Sequence, residues 1–402
     1  MDANTHDIAR DAFMLTGTFA RRGYDWWWHS FTAHHADTGQ GRQFFVEFFL
    51  VNPALAHEGA QGAQGLPVLG QLPENRRAGV RPSYLMVKAG TWGKDARQLH
   101  RFFSWDDVEV GRGVPFYVAA DDCICCETDL IGRVEVTPQQ AAAHPEWMCD
   151  AGSMLWDLRL QKEISFNVGY GASAPMRAAE AFQMYWHAEG MKTRFSGTVV
   201  LDGQTYVVDP DTSYGYADKN WGSDFTSPWV WLASSHLTSA ITGKPLERSA
   251  FDIGGGRPKV GPVALDRKLL GAMVYEGRTY EFNFSKPWTG SRTRFACGER
   301  GDEVAWHVEQ DTFVARMVTD VTCRKEDMLL VNYEAPDGAK RYSRLWNGGN
   351  GVGRVRLYER RGGNLALVDD IRAANVGCEW GEYDVTKVSD TSVTPLSLEL
   401  LG

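Results

Sequence analysis

Four short segments carry side chains that could move a proton in an apolar setting. Residues 215–236, GYADKNWGSDFTSPWVWLASSH, hold Asp218, Lys219, Trp221, Asp224, Trp229, Trp231 and His236 within 22 positions. In a strand from Trp229, alternation puts Trp229 and Trp231 on one face. Asp218 with Lys219, as an ion pair or acid–base dyad just ahead of that strand, would set an acid beside a greasy cavity. The structural alternative is a salt bridge at a domain junction, with the tryptophans in the core. Glu47 sits inside FFVEFFL and shares a face with Phe45 and Phe49. Apolar neighbours disfavour its ionised form and raise its pKa. A carboxylic acid kept protonated in a dry cavity can protonate an alkene or enol, or polarise a carbonyl. The alternative is that Glu47 pairs with an arginine across the sheet. In QMYWHAEG, Tyr185, His187 and Glu189 share a face. Tyr185 and His187 could orient a substrate or relay a proton, or His187 could be a satisfied core histidine. In GYDWWWHSF, Asp25, Trp27 and His29 share one face, with Trp26 and Trp28 opposite. Aromatic ring faces stabilise a developing cation, and they fill cores equally well.

Other chemistries are poorly served. His29, His34 and His35 with Asp37 match no metal-ligand spacing, so no metal is expected. Cys123, Cys125 and Cys126 in DDCICCETD lack a distant CxxC partner and a basic neighbour, and read as buried thiols on a strand. The glycine runs at 254–256 and 348–353 lack the strand-to-helix setting and GK[ST] ending of a phosphate loop, and are expected to be turns. In WDLRLQKE, Asp157, Arg159 and Gln161 alternate onto one face, either a polar pocket wall or the solvent side.

The elements that must position these groups are strands. Residues 24–31, 43–51, 84–88, 193–201 and 205–208 are short, aromatic or β-branched, and separated by turn residues. Asp202-Gly203, Glu276-Gly277 and Gly362-Gly363 each interrupt apolar runs as hairpin turns do. Helical signals are few, at residues 137–144 and 175–181. Residues 54–82 are rich in Gly, Gln, Pro and Ala, either a surface lid or an inert insertion. The 15 Trp, 14 Tyr, 19 Phe and 42 Gly among 402 residues suit a β-rich chain. So many strands cannot share one open sheet, and two closed or nearly closed antiparallel barrels, residues 1–218 and 219–402, are the expected arrangement. The net charge of -9 argues against nucleic acid as partner. No segment approaches the roughly 18 apolar residues of a membrane helix. Seven cysteines and no basic leader suit a reducing cytoplasm. The oligomeric state stays open, a homodimer included.

The DKNWG…F…PWVW run resembles the central motif of the tocopherol cyclase-like family. In the same order, GYDWWWHSFTAHHADTGQGRQFFVEFFL is similar to the family's opening aromatic hairpin, and AFQMYWHAEGMKTRFSGTVVLDGQTYVV to its Tyr/Trp-His strand and hairpin. FDIGGG, YEGRTYEF and GRVRLYER are similar to its second domain. The resemblance implies two lipocalin-like barrels around an apolar pocket, a prenylated, polyene or polyphenolic substrate, and cyclisation, isomerisation or hydration without a cofactor. On that reading Asp218, Lys219, Glu47, His187 and Tyr185 are the catalytic candidates. Asp25, Trp26, Trp28, Trp221, Trp229 and Trp231 would line the pocket. The same aromatic barrel would also serve a carrier that binds an apolar ligand without changing it.

Overall fold

Apolar–polar alternation cut by turn residues makes strands, and the chain is built from them. The computed structural model describes residues 7–56, 67–167, 180–260, 263–265, 268–331, 333–338 and 344–382. One sheet takes β1 (Tyr24–His35), β2 (Gly41–Val51), β3 (Tyr84–Thr91), β4 (Arg97–Phe103), β5 (Val108–Gly111), β6 (Tyr117–Ala120), β7 (Cys123–Cys126), β8 (Asp129–Val136), β9 (Gly152–Phe166), β10 (Met184–Leu201), β11 (Gln204–Val208) and β12 (Gly215–Gly222). The other takes β13 (Trp229–Ser234), β14 (His236–Ser239), β15 (Ala250–Gly256), β18 (Lys268–Tyr275), β19 (Arg278–Phe282), β20 (Arg292–Arg300), β21 (Glu303–Asp311), β22 (Ala315–Arg324), β23 (Leu329–Val331), β24 (Arg344–Arg361) and β25 (Asn364–Glu382). Between β15 and β18, β16 (Lys259–Val260) pairs with β17 (Val263–Ala264). Every pairing among the described residues is antiparallel. The expected all-β class is the one observed, as two curved antiparallel sheets with few short helices.

The first sheet runs β4-β3-β2-β1-β11-β10-β9-β8-β7-β6-β5, with β12 paired to both β1 and β10. It curls until β4 meets β8, where Arg101 donates to the carbonyl of Arg133 (3.2 Å). The second runs β19-β18-β15-β13-β25-β24-β22-β21-β20. It also bends back, so that Gln310 of β21 donates to the carbonyl of Leu269 in β18 (3.3 Å). The change of sheet falls between Gly222 and Trp229, so residue 218 lies inside β12.

Three apolar layers result. One fills the first sheet's interior, around Trp27, Phe31, Phe44, Phe48 and Trp156. A second fills the interior of the other sheet, around Leu232, Phe251, Met273 and Trp306. The third lies between the sheets and is the most aromatic, with Tyr24, Trp26, Trp28, Trp92, Trp186, Trp229 and Trp231.

The three hairpin turns form where the glycine pairs stand. Residues 138–143 make a short helix whose start is fixed by a Thr137–Gln140 capping box. Asp157, Arg159 and Gln161 face solvent. The helix expected at 175–181 falls mostly outside the described residues, as do residues 57–66 of the long segment. The rest of that segment carries the helix Pro73–Ala78 and buries Leu69 in the inter-sheet layer.

The two glycine runs are not turns. Gly254–Gly256 belong to β15 and Gly348–Gly353 to β24. Their missing side chains let other elements come close. A Cβ on Gly254 would stand 3.1 Å from the Trp186 ring, one on Gly349 2.3 Å from Trp92, and one on Gly256 1.8 Å from the Pro228 carbonyl. Local sequence cannot separate a turn glycine from one that yields space to an indole of the other sheet.

Candidate active site

Residues directly opposite one another on neighbouring strands share a face. Across β4, β3, β2, β1 and β12 the register lines up His100, Lys88, Glu47, Trp28 and Asp218. Across β24, β25, β13 and β15 it lines up Asn347, Glu379, Trp231 and Gly254, and Asp252 lies opposite Ala233 in the next row but one. Both rows face the layer between the sheets. Polar side chains of two sheets thus meet inside an apolar slab.

The centre is a pair of carboxyls bridged by a tyrosine. Tyr216 Oη lies 3.1 Å from Asp218 Oδ2 and 2.9 Å from Asp252 Oδ2, and accepts from Trp231 Nε1 (3.2 Å). Trp186 Nε1 donates to Asp218 Oδ2 (2.9 Å). Tyr216 has one hydrogen to give, so only one of its two carboxyl contacts can be a bond that it donates. The other is a hydrogen bond only when that carboxyl is protonated and donates to Tyr216. Burial points the same way. It pushes Asp218 up to about 7, with the Glu379 charge adding to the rise and the indole and tyrosine bonds opposing it. Burial pushes Asp252 well above the usual carboxylate range, and the Asp218 charge adds to it. Oδ1 of each carboxyl makes no hydrogen bond of good geometry, although the Trp26 indole approaches Asp218 and the Ile253 backbone approaches Asp252, so each can present a proton to a molecule in the layer.

Two further acids join this centre. Glu379 accepts from Trp229 Nε1 and Asn347 Nδ2, and Asn347 accepts from Trp92 Nε1 (2.7 Å). Burial lifts Glu379 to about 7 against those two bonds. Glu47 is fully buried and meets Lys88 Nζ at 2.8 Å and the Tyr333 hydroxyl at 3.1 Å, both on Oε2. Burial raises its pKa, as the sequence suggests, while Lys88 holds it down. The cross-strand partner is a lysine and not an arginine. Tyr333 stacks on Trp26 (5.3 Å) and lies under the Lys88 ammonium (3.9 Å). An apolar cleft of about 60 Å3 is walled by Trp186, Trp229, Tyr185, Gly254 and Leu270. It is roughly two water volumes, enough for the end of an apolar molecule.

Asp218, Glu47, Trp26, Trp28, Trp229 and Trp231 therefore come together in the inter-sheet layer. The expected Asp218–Lys219 dyad does not form, because neighbours in a strand point to opposite faces. Lys219 pairs with Asp25 inside the first sheet, its ammonium 3.7 Å above the Trp27 ring. Burial raises Asp25 to about 6 and lowers Lys219, each opposed by the other's charge. His187 is also on that interior, with Nε2 3.2 Å from Asp11 Oδ1. Asp11, Glu127 and Glu189 bring oxygens within 4.8 Å of one another, a spacing suited to a cation, and the Lys162 ammonium sits there at 2.9–3.4 Å. Burial alone would lower Lys162, but the three carboxylates outweigh it and push it up. Tyr185 and Trp221 stack on each other (5.5 Å) on the strand faces opposite to Trp186 and Asp218, and Tyr185 also reaches the wall of the apolar cleft.

The sequence does not single out Tyr216, Asp252, Glu379, Tyr333 or Lys88. A faint signal exists for two of them: Asp252 interrupts the apolar run AFDIGGG, and Glu379 alternates with Gly377 and Gly381 on the face of Trp231.

Fold and site together describe a two-sheet antiparallel β protein with acids and indoles gathered in the layer between its sheets. No protein-family model matches the chain, and no curated protein does. Among solved structures it is similar to kievitone hydratase from Nectria haematococca, at 11% identity over 95% of this chain and 96% of that one, with a TM-score of 0.45. It is also similar to CghA with Sch210972, at 12% identity over 90% and 89% of the two chains, with a TM-score of 0.48.

Proposed function

We propose that the chain is an acid–base enzyme that protonates a hydrophobic small molecule in the inter-sheet layer, leading to cyclisation, isomerisation or hydration. The observation that carries this reading is the Asp218–Tyr216–Asp252 arrangement. Two buried carboxyls share one tyrosine hydroxyl, and each keeps an oxygen without a geometric hydrogen bond inside the aromatic layer. Asp218, poised near neutral, transfers its proton to an alkene or enol carbon. The indoles of Trp26, Trp28, Trp186 and Trp231 face the positive charge that develops. Tyr216 passes the next proton from Asp252 to Asp218, and Glu379 or Glu47 takes up a proton from the product or from a water that adds. The Asp25–Lys219 pair and His187 hold the strands behind the site. The resemblance of DKNWG…PWVW to the tocopherol cyclase-like family supports a prenylated, polyene or polyphenolic substrate, and seven free thiols support a cytoplasmic setting.

The test is incubation with a panel of isoprenoid, polyene and prenylated phenol substrates in D2O, followed by mass spectrometry. The expected result is deuterium bound to carbon in a product, lost in Asp218→Asn. Stoichiometric recovery of an unaltered bound molecule, with no deuterium at carbon, would make the protein a carrier instead.

A further inference from the structure

One corner of the second sheet carries features that the inter-sheet chemistry does not use. Trp288, in the turn after β19, is 73% exposed, and Phe313 and Val314, between β21 and β22, are 69% and 67% exposed. These residues form one patch. Phe313 N donates to the Thr289 carbonyl (3.0 Å), and the Phe313 ring covers Gly290 so closely that a Cβ there would stand 2.6 Å away. Arg360, at the end of β24, ties in through its N to the Val314 carbonyl (2.9 Å) and its Nε to the Thr312 carbonyl (3.0 Å). Contiguous large apolar side chains on a surface mark a place where something else docks.

Beside the patch lies a cavity of about 250 Å3 walled by Arg292, Arg294, Arg316 and Arg360 with Glu309 and Asp311. Asp311 is engaged by Arg316 (2.8 Å) and Arg360 (2.7 Å). Arg292 and Arg294 are exposed on the edge strand β20, two residues apart and so on one face, and neither forms an ion pair among the described residues. Four guanidiniums against two carboxylates leave this wall positive in a chain of net charge -9. A guanidinium fork matches phosphate oxygens. Aromatic rings beside basic groups suit the headgroup level of a bilayer.

We propose that this corner docks the protein on an anionic lipid bilayer. Lipid phosphates seat against Arg292 and Arg294, while Trp288, Phe313 and Val314 enter the acyl boundary. Phospholipid fits better than a second copy of the chain, because one molecule supplies both the phosphate and the adjoining apolar surface.

The experiment is co-sedimentation of the full chain with vesicles of phosphatidylcholine, with and without phosphatidylglycerol. Arms include added inorganic phosphate, the double variant R292Q/R294Q and the double variant W288S/F313S. All four side chains are exposed and lie outside the inter-sheet layer, and an unchanged melting temperature verifies folding. Binding is expected with phosphatidylglycerol, and millimolar phosphate should not displace it. Each neutralised arginine weakens it about fivefold, so R292Q/R294Q weakens it about twenty-five-fold. W288S/F313S weakens it at least about tenfold. Equal sedimentation with both vesicle types, or variants that bind like the parent, would overturn the proposal. Release by phosphate alone would make the cavity a free-anion site, and self-association abolished by W288S/F313S would make the patch a contact between copies. Either result also overturns it.

Discussion

Asp218→Asn should make the protein more stable at pH 8 while abolishing its chemistry. Burial shifts the Asp218 carboxyl from 3.8 to about 7. Between those values the folded state binds more protons at this group than the unfolded chain does. Stability from this group is therefore fully present below about pH 3.8 and is lost as pH rises through about 7. The shift corresponds to about 4 kcal/mol of cost once Asp218 is ionised. Asparagine keeps the shape and an acceptor for the Trp186 indole but never ionises. Its amide adds one donor beside the Oδ1 position, costing about 1–3 kcal/mol at every pH. The net effect is a variant weaker than the parent by about 1–2 kcal/mol at pH 4 and about 2 kcal/mol stronger at pH 8. Urea denaturation of both proteins at five pH values, converted through the midpoint and the slope m, measures it. The slope with pH is diagnostic, because the amide cost does not titrate. A stability difference that stays flat from pH 4 to pH 8 would refute the reasoning: Asp218 would then be ionised in the native protein and unable to act as the acid.

Tyr216→Phe leaves the two carboxyls facing each other without the hydroxyl that links them. Turnover in the D2O assay should fall by about 100-fold or more, with little loss of secondary structure by circular dichroism. Lys88→Met strands the buried Glu47 charge and should cost about 3–5 kcal/mol in urea, most of it recovered in the Lys88→Met/Glu47→Gln double variant. Gly256→Ala drives a Cβ to 1.8 Å from the Pro228 carbonyl and should fail to give folded protein. Gly254→Ala only crowds the Trp186 ring at 3.1 Å and should fold, with KM raised more than kcat is lowered. Replacing both members of the Asp25–Lys219 pair with Asn and Met should leave turnover within about threefold of the parent, since a strand face separates them from Asp218.

Much of the first-sheet half of the site is legible along the chain, because strand alternation is a local property. The facing of Trp26 and Trp28 away from Trp27, and of Glu47 with Phe45 and Phe49, follows from counting by two. The same rule, applied at the Asp218–Lys219 step, separates that pair. An ion pair between adjacent strand residues would need both side chains on one face. The glycines at 254–256 and 348–353 were opaque for another reason. Gly254 and Gly349 admit Trp186 and Trp92, Gly256 admits the Pro228 carbonyl, and those partners are distant in sequence.

By itself the sequence determines an all-β chain, its hairpins, and a face for each aromatic and acidic side chain, since these depend on periods of two and on turn chemistry. Only the tertiary structure decides which face is buried against what. It brings Asp252 of β15 to Tyr216 of β12, Glu379 to Trp229, and Tyr333 to Glu47, contacts 36, 150 and 286 residues apart. No local pattern specifies such meetings: the Asp252 and Tyr333 contacts depend on how two whole sheets stack, and the Glu379–Trp229 contact on the pairing of β25 with β13. The acidity of the site depends on them as well: desolvation raises Asp218 and Asp252 only once the second sheet closes over the first.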